Sequence, residues 1–251
     1  MQTYTFTTPW GKTVQTVGRT DRSDYNTLNS CIKEDEYHLA KLGTTDGLFI
    51  DIGAHVGGAT IAAVARGMKT LSVEVLPENV DMIAKNLLLS GLSTDNRIEA
   101  SAIHHTSGES IYVIYGDNNT TSGFHHEFIG FTTTAPPADT DPSRLHVVQT
   151  ISIPDLFQKY NIEHCRILKI DCEGAEWQCF KDLSVDILDR IDYIIGEIHP
   201  DTTARTERSP IEFISLLKDR FVDVSTDFGE LGFAKAVEDR NFCFNFVLKH
   251  I

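Results

Sequence analysis

Apolar residues along this chain fall into short runs separated by polar, glycine- or proline-bearing breaks. Segments 48–52, 70–75, 97–103, 166–171 and 192–198 are brief and rich in Ile, Leu and Val, the pattern of strands buried on both faces. Segments 58–66, 77–90, 153–160, 176–183 and 210–219 instead carry apolar residues at helical spacing, and Pro77 sits where a helix begins. Residues 1–17 predict a β-hairpin that turns at Pro9-Trp10-Gly11-Lys12, residues 33–42 a helix, and residues 111–115 a further strand. Segments 221–225 and 241–249 predict an antiparallel hairpin at the end of the sheet. Strands alternating with helices imply parallel crossovers, and so a doubly wound α/β fold with a mostly parallel sheet. Ligands of such sheets bind beyond the carboxyl ends of the strands, at the point where strand order reverses.

Two segments stand apart. The N-terminal hairpin region, 1–32, reads as an extension to a main domain spanning 33–251. Within that domain, 116–143 is rich in Thr, Asn, Asp, Gly and Pro. A long stretch of that kind inside a compact domain reads as a lid or binding loop.

Composition narrows the function classes. The chain has 251 residues, of which 41% are hydrophobic, enough for a sizeable core. Its formal net charge of −14 disfavours duplex nucleic acid and anionic membranes as partners, since both demand a basic face. No apolar run approaches the roughly 20 residues of a membrane-spanning helix, and the polar start does not read as a signal peptide. Five cysteines with no C-x-x-C pair point to a reduced, cytoplasmic setting.

Chemistry concentrates at strand ends. Phe49-Ile50-Asp51-Ile52-Gly53-Ala54-His55-Val56-Gly57-Gly58 runs from a strand into a helix, and its glycines let a ligand approach the backbone. The spacing is not the G-x-G-x-x-G of a pyrophosphate site. Asp51 before the first glycine suits a cationic ligand or one bearing an amino group. Glu74 closes the next strand, where an acid binds ribose hydroxyls, and Val75 and Leu76 could floor an adenine. Asp171, Glu173 and Glu176 follow the 166–171 strand, with capping of the next helix as an alternative role for Glu176. His199, after Glu197 on the last parallel strand, is placed to act as a general base or as a structural rim residue. The His104-His105 and His125-His126 doublets read as ordinary polar residues, because strand neighbours point to opposite faces.

Together these motifs resemble the class I S-adenosylmethionine-dependent methyltransferases of the FkbM type. The resemblance runs from about Glu36 to the C-terminus. It rests on the 49–57 turn, on Glu74 with Pro77 and Asn79, on Ser101-Ala102, and on residues 150–156. Leu168-Lys169-Ile170-Asp171 with Glu173-Gly174-Ala175-Glu176, and Glu197-Ile198-His199, complete it. It implies a seven-stranded, Rossmann-like sheet with a C-terminal antiparallel hairpin, and S-adenosylmethionine as cofactor. By that resemblance Asp51, Gly53, Ala54, His55 and Gly57 surround the methionine part, and Glu74 and Val75 lie at the nucleoside. Ser101 and Ala102 lie near the adenine, Asp171 stands beside the amino group or sulfonium, and Glu173 and His199 face the acceptor. His55, where the family more often has Asn, and Ser152, where it has Asp, depart from the pattern.

The implied reaction is in-line methyl transfer, most naturally to a hydroxyl of a sugar, glycan or secondary metabolite. His199 is then the base, assisted by Glu173, with Asp171 as the second candidate. N-methylation of an amide or amine of a peptide or small molecule is the alternative. A nicotinamide oxidoreductase or a binding module without catalysis fits the residues less well. Asp171, Glu173, Glu197 and His199 could also ligate Mg²⁺ or Mn²⁺. The sequence leaves the acceptor and the oligomeric state open.

Overall fold

The register of two parallel neighbours sets the centre of the molecule: in the computed structural model, Asp51 of β3 (Leu48–Ile52) pairs with Lys169 of β10 (Cys165–Ile170). The structure describes all residues except 44, 93–94, 118–126, 133–144, 173–174, 182, 200–209 and 239–242, with backbone alone at 114–117, 127–132, 178, 210–211 and 237.

On one side of β3 lie β4 (Lys69–Val73) and β5 (Asn96–Glu99); on the other, beyond β10, lie β11 (Ile191–Ile198), β13 (Phe244–His250) and β12 (Phe221–Asp223). All neighbours are parallel except β13, which runs antiparallel to both β11 and β12. The seven-stranded, mostly parallel sheet with a C-terminal antiparallel pair is therefore as the sequence implies. Strand order reverses between β3 and β10.

Alternation along the strands divides the core. Ile50, Ile52, Leu168, Ile170, Ile194 and Ile198 join the cluster on one face. Phe49, Ile167, Ile195 and Val247 join the other, against Leu28, Val56, Ile61 and Ala62. That second face is covered by α3 (Gly58–Arg66), whose residues from Gly58 to Val64 are all buried. Small side chains let α1 (Asp24–Ile32) lie close to it: a Cβ on Gly58 would come 2.9 Å from the Thr27 carbonyl. Next, α4 (Pro77–Ser90) opens with proline at its first turn and closes on left-handed Gly91.

The N-terminal hairpin, β1 (Gln2–Thr7) and β2 (Thr13–Gly18), is present as expected. It is tied to α4 by a bond from Val17 N to Asn86 Oδ1 (2.7 Å), and its Phe6 and Val14 belong to the second core cluster. The helix expected over 33–42 is found only as α2 (Leu39–Leu42), with α1 lying earlier than the pattern suggested. Asp35 and His38 take left-handed backbone (φ +58° and +56°), which breaks the helix between them.

Segment 97–103 is also split: β5 stays in the main sheet while β6 (Ala102–Ile103) pairs with β9 (Leu145–Ile151) in a second sheet. There β7 (Ser110–Asp117) lies between β9 and β8 (Glu127–Thr132), antiparallel to both. β8 falls inside the expected lid 116–143, so that stretch is partly strand, and its remaining parts, 118–126 and 133–143, lie outside the described residues. Short helices α5 (Ile153–Lys159), α6 (Glu176–Cys179), α7 (Val185–Leu188), α8 (Pro210–Leu217) and α9 (Phe233–Glu238) complete the chain. Of these, α6 is shorter than the 176–183 helix expected. No helix among the described residues is long and apolar enough to cross a membrane.

Candidate active site

Odd-numbered positions at the carboxyl ends of β3, β10 and β11 share the face that α3 covers, which brings Asp51, Lys169, Asp171, Glu197 and His199 to one crevice at the reversal point. Lys169 Nζ lies 3.1 Å from Asp51 Oδ1 and 3.8 Å from Asp171 Oδ2, and it donates to the Gly53 carbonyl (2.9 Å). Burial works against the ammonium, but the two carboxylates outweigh it and raise the Lys169 pKa. Asp51 has no solvent exposure and also accepts from the Thr60 hydroxyl (2.6 Å). Its carboxylate thus faces Lys169 and α3.

The turn after β3 is shaped by left-handed backbone at Gly53, His55 and Gly57 (φ +76°, +50° and +87°). Gly53 has no alternative: a Cβ there would come 1.8 Å from the Asp171 carbonyl oxygen. Gly57 caps α3 without a side chain to occupy the helix's leading N–H groups. Glu74, just beyond β4, fastens this turn. Its Oε2 accepts from His55 N (2.7 Å), and its Oε1 accepts from Val75 N and Leu76 N (both 2.9 Å). Burial raises the Glu74 pKa, although those N–H groups pull it back. His55 Nε2 stands 3.9 Å from Asp24 of α1, itself held by Arg19 (2.9 Å), so the N-terminal region reaches this turn.

On the opposite wall, His199 Nδ1 meets the buried Glu176 at 3.1 Å, and Glu176 also accepts from Cys172 N (2.8 Å). His199 Nε2 lies 3.7 Å from Glu197 Oε2 and 4.0 Å from Asp171 Oδ1. Trp177 Nε1 donates to the His199 carbonyl (2.8 Å) and fixes the end of this strand. Burial raises the Glu197 pKa, and the charge of Asp171 adds to the rise. Asp171, Glu176 and His199 offer ligand atoms within 4.8 Å of one another, as do Glu197, His199 and Cys243. A divalent cation could be held by either set.

Against this geometry, the sequence model for the methyltransferase FkbM domain matches residues 51–225, which carry every residue of the crevice walls just described from β3 to β11. The chain belongs to the FkbM methyltransferase family. It accordingly carries a methyltransferase domain over those residues. No curated relative matches the chain. Among solved structures it is similar to the O-methyltransferase from Bacillus cereus in complex with S-adenosylhomocysteine, at 14% identity and a TM-score of 0.47, covering 93% of this chain and 84% of that one. It is also similar to a protein from Streptococcus mutans described as a SAM-dependent methyltransferase, at 12% identity and a TM-score of 0.45. That match covers 95% of this chain and 53% of the other, so the chain spans about half the length of the Streptococcus mutans protein.

The FkbM crevice has acceptors that could hold a nucleoside cofactor. Glu74 Oε2 accepts one hydrogen bond from His55 N, and a carboxylate oxygen has a second lone pair for a ribose hydroxyl. Asp171 and Glu197 are carboxyl groups beside His199 that could face a cationic ligand. Ser101 donates to Glu99 (2.5 Å), and Ala102 is buried in β6, so both sit at the far edge beyond β5. Ala54 is buried within the turn, while Val75 is half-buried beside Glu74. Glu173 lies outside the described residues.

Three FkbM crevice residues carried no role in the sequence reading. Lys169 was visible as a lone cation in an apolar strand, which demands a buried acid as partner. Thr60 gave the signal of a polar residue on an otherwise apolar helix. Tyr37, whose hydroxyl donates to Asp171 Oδ2 (2.7 Å), gave no local signal at all.

Proposed function

We propose that this chain methylates a hydroxyl of a sugar, glycan or secondary metabolite, with His199 as the general base. One observation carries the reading. Glu176 is a buried carboxylate that only accepts, so His199 Nδ1 donates to it and the lone pair of the neutral ring is placed on Nε2. Nε2 is the nitrogen on the crevice side, near Glu197 and Asp171.

S-adenosylmethionine, when bound, supplies an electrophilic methyl group on a positively charged sulfur. Glu74 and the turn it fastens would hold the nucleoside, and the N-terminus of α3 would face the methionine part. Asp171 would stand on the sulfonium side of the crevice. An acceptor hydroxyl loses its proton to Nε2 as the new bond forms. The resulting imidazolium is stabilised by Glu176, Glu197 and Asp171, each within about 4 Å of a ring nitrogen.

The test has two stages. Calorimetric titration with S-adenosylmethionine, with NADH as control, should show binding of the first alone. Methyl transfer is then screened on hydroxyl and on amide or amine acceptors, with wild type and His199→Ala. Hydroxyl methylation that falls by about a hundredfold or more in the variant, with cofactor affinity kept, is the expected result. Transfer to nitrogen acceptors alone would replace the acceptor assignment. Loss of activity in EDTA with recovery in Mg²⁺ or Mn²⁺ would move hydroxyl activation from His199 to a cation.

A further inference from the structure

Asp171 is anchored from a part of the chain that the crevice's own strands do not supply. Tyr37 lies between α1 and α2, and its phenol donates to Asp171 Oδ2 at 2.7 Å. Its ring also covers the Lys169 ammonium, with Nζ 5.2 Å from the ring centroid. The residue is buried and belongs to the core cluster against α3.

The backbone around Tyr37 is arranged to hold it there. Asp35 and His38, on either side, both take left-handed conformations that cost non-glycine residues energy. Each is pinned: Asp35 accepts from Leu39 N (2.8 Å) and Ala40 N (2.9 Å), and His38 Nε2 meets Glu230 Oε1 at 2.7 Å. Glu36 accepts from the Ser30 hydroxyl at 2.7 Å. Contacts on both sides thus hold the backbone that carries Tyr37.

The distances say what is positioned. Lys169 makes a close pair with Asp51 (3.1 Å) but stands off from Asp171 (3.8 Å). Among the described residues, the Tyr37 phenol supplies the hydrogen bond that holds Asp171 Oδ2 away from the ammonium. Closure on the ammonium would spend the carboxylate's charge inside the protein and not in the crevice. With the phenol in place, Oδ2 is occupied by a neutral donor, while Oδ1 is directed toward His199.

We infer that Tyr37 is a positioning residue: by holding Asp171 off Lys169 and covering that lysine's charge, it keeps the crevice negative where the cofactor's sulfonium binds. The inference rests on the methyltransferase reading above and assigns the crevice's preference for the charged cofactor over its neutral product. S-adenosylhomocysteine differs from the donor only by the methyl group and the positive charge on sulfur. A residue that acts through Asp171 on that charge must therefore change the ratio of the two affinities. A merely structural one shifts both alike.

The experiment is calorimetric titration of the full chain with S-adenosylmethionine and with S-adenosylhomocysteine, in wild type, Y37F, D171N and the double variant. Y37F should weaken the first by about tenfold and the second by less than about twofold. On the D171N background Y37F should change the ratio no further, because the two residues act as one unit. Equal losses for both ligands, or full additivity in the double variant, would overturn the assignment. Should Y37F fail to fold, D171N decides: an unchanged ratio there removes Asp171 from the sulfonium and Tyr37 with it. If wild type binds neither ligand, the cofactor reading itself fails. If wild type binds both and Y37F leaves the ratio alone, only the positioning role is lost.

Discussion

The ammonium of Lys169 lies 3.1 Å from Asp51 Oδ1, and both side chains are buried. They are register partners on neighbouring parallel strands at the reversal point of the sheet. Removing one partner strands the other as an unpaired buried charge. Lys169→Met should therefore cost about 3–5 kcal/mol of stability, read from urea unfolding. Adding Asp51→Asn should recover much of that loss. A single variant as stable as wild type would show that the pair does not hold β3 and β10 together.

Gly53 tests the close approach of the turn to β10. A side chain there meets the Asp171 carbonyl oxygen at 1.8 Å and requires left-handed backbone as well. Gly53→Ala should destabilise by more than about 3 kcal/mol or fail to fold. Unfolding within about 0.5 kcal/mol of wild type would contradict this packing.

Glu74→Ala should weaken S-adenosylmethionine and S-adenosylhomocysteine alike, by about tenfold to a hundredfold, since both carry the same ribose. This differs from the selective loss expected of Y37F. An unchanged affinity in calorimetry would remove Glu74 from the ribose.

Glu99 gives a pH dependence with a definite sign. Burial alone would raise its pKa, but hydrogen bonds from Lys159 (2.6 Å), Ser101 (2.5 Å) and Tyr160 (2.8 Å) outweigh it and hold the carboxyl below its ordinary value. Burial and the same carboxylate push the Tyr160 phenol up to about 12. A pKa lower in the folded chain means stability that is present above the unfolded carboxyl value, about 4.3, and lost as pH falls through the folded one. Lys159 is half-exposed, so its share is screened. Glu99→Gln should cost about 1 kcal/mol at pH 7, and the gap to wild type should close in acid. A gap that is constant from pH 7 to pH 3 would show that ionisation plays no part.

Sequence periodicity alone determined the parallel core of this protein. The apolar runs at 48–52, 166–171 and 192–198 are too short for helices and too continuous for half-exposed strands, so they had to be central. The rule that ligands bind beyond strand carboxyl ends then drew Asp51, Asp171 and His199 to one crevice, and a family resemblance supplied the cofactor. What the pattern could not show was partnership. Asp51 reads as a ligand contact, and nothing local says that Lys169 is also level with it across the sheet. That is a matter of strand register, set by packing on both faces.

Tyr37 was beyond reach for a stronger reason. It sits in a segment patterned like a helix but broken by left-handed Asp35 and His38, which are bound by Leu39, Ala40 and Glu230. Likewise the split of 97–103 between two sheets follows from where β9 returns, not from the residues in it. Local sequence fixes which residues are buried and which face they share. The contacts that orient Asp171 and His199 join residues far apart in the chain, and only the folded packing brings them within hydrogen-bond distance.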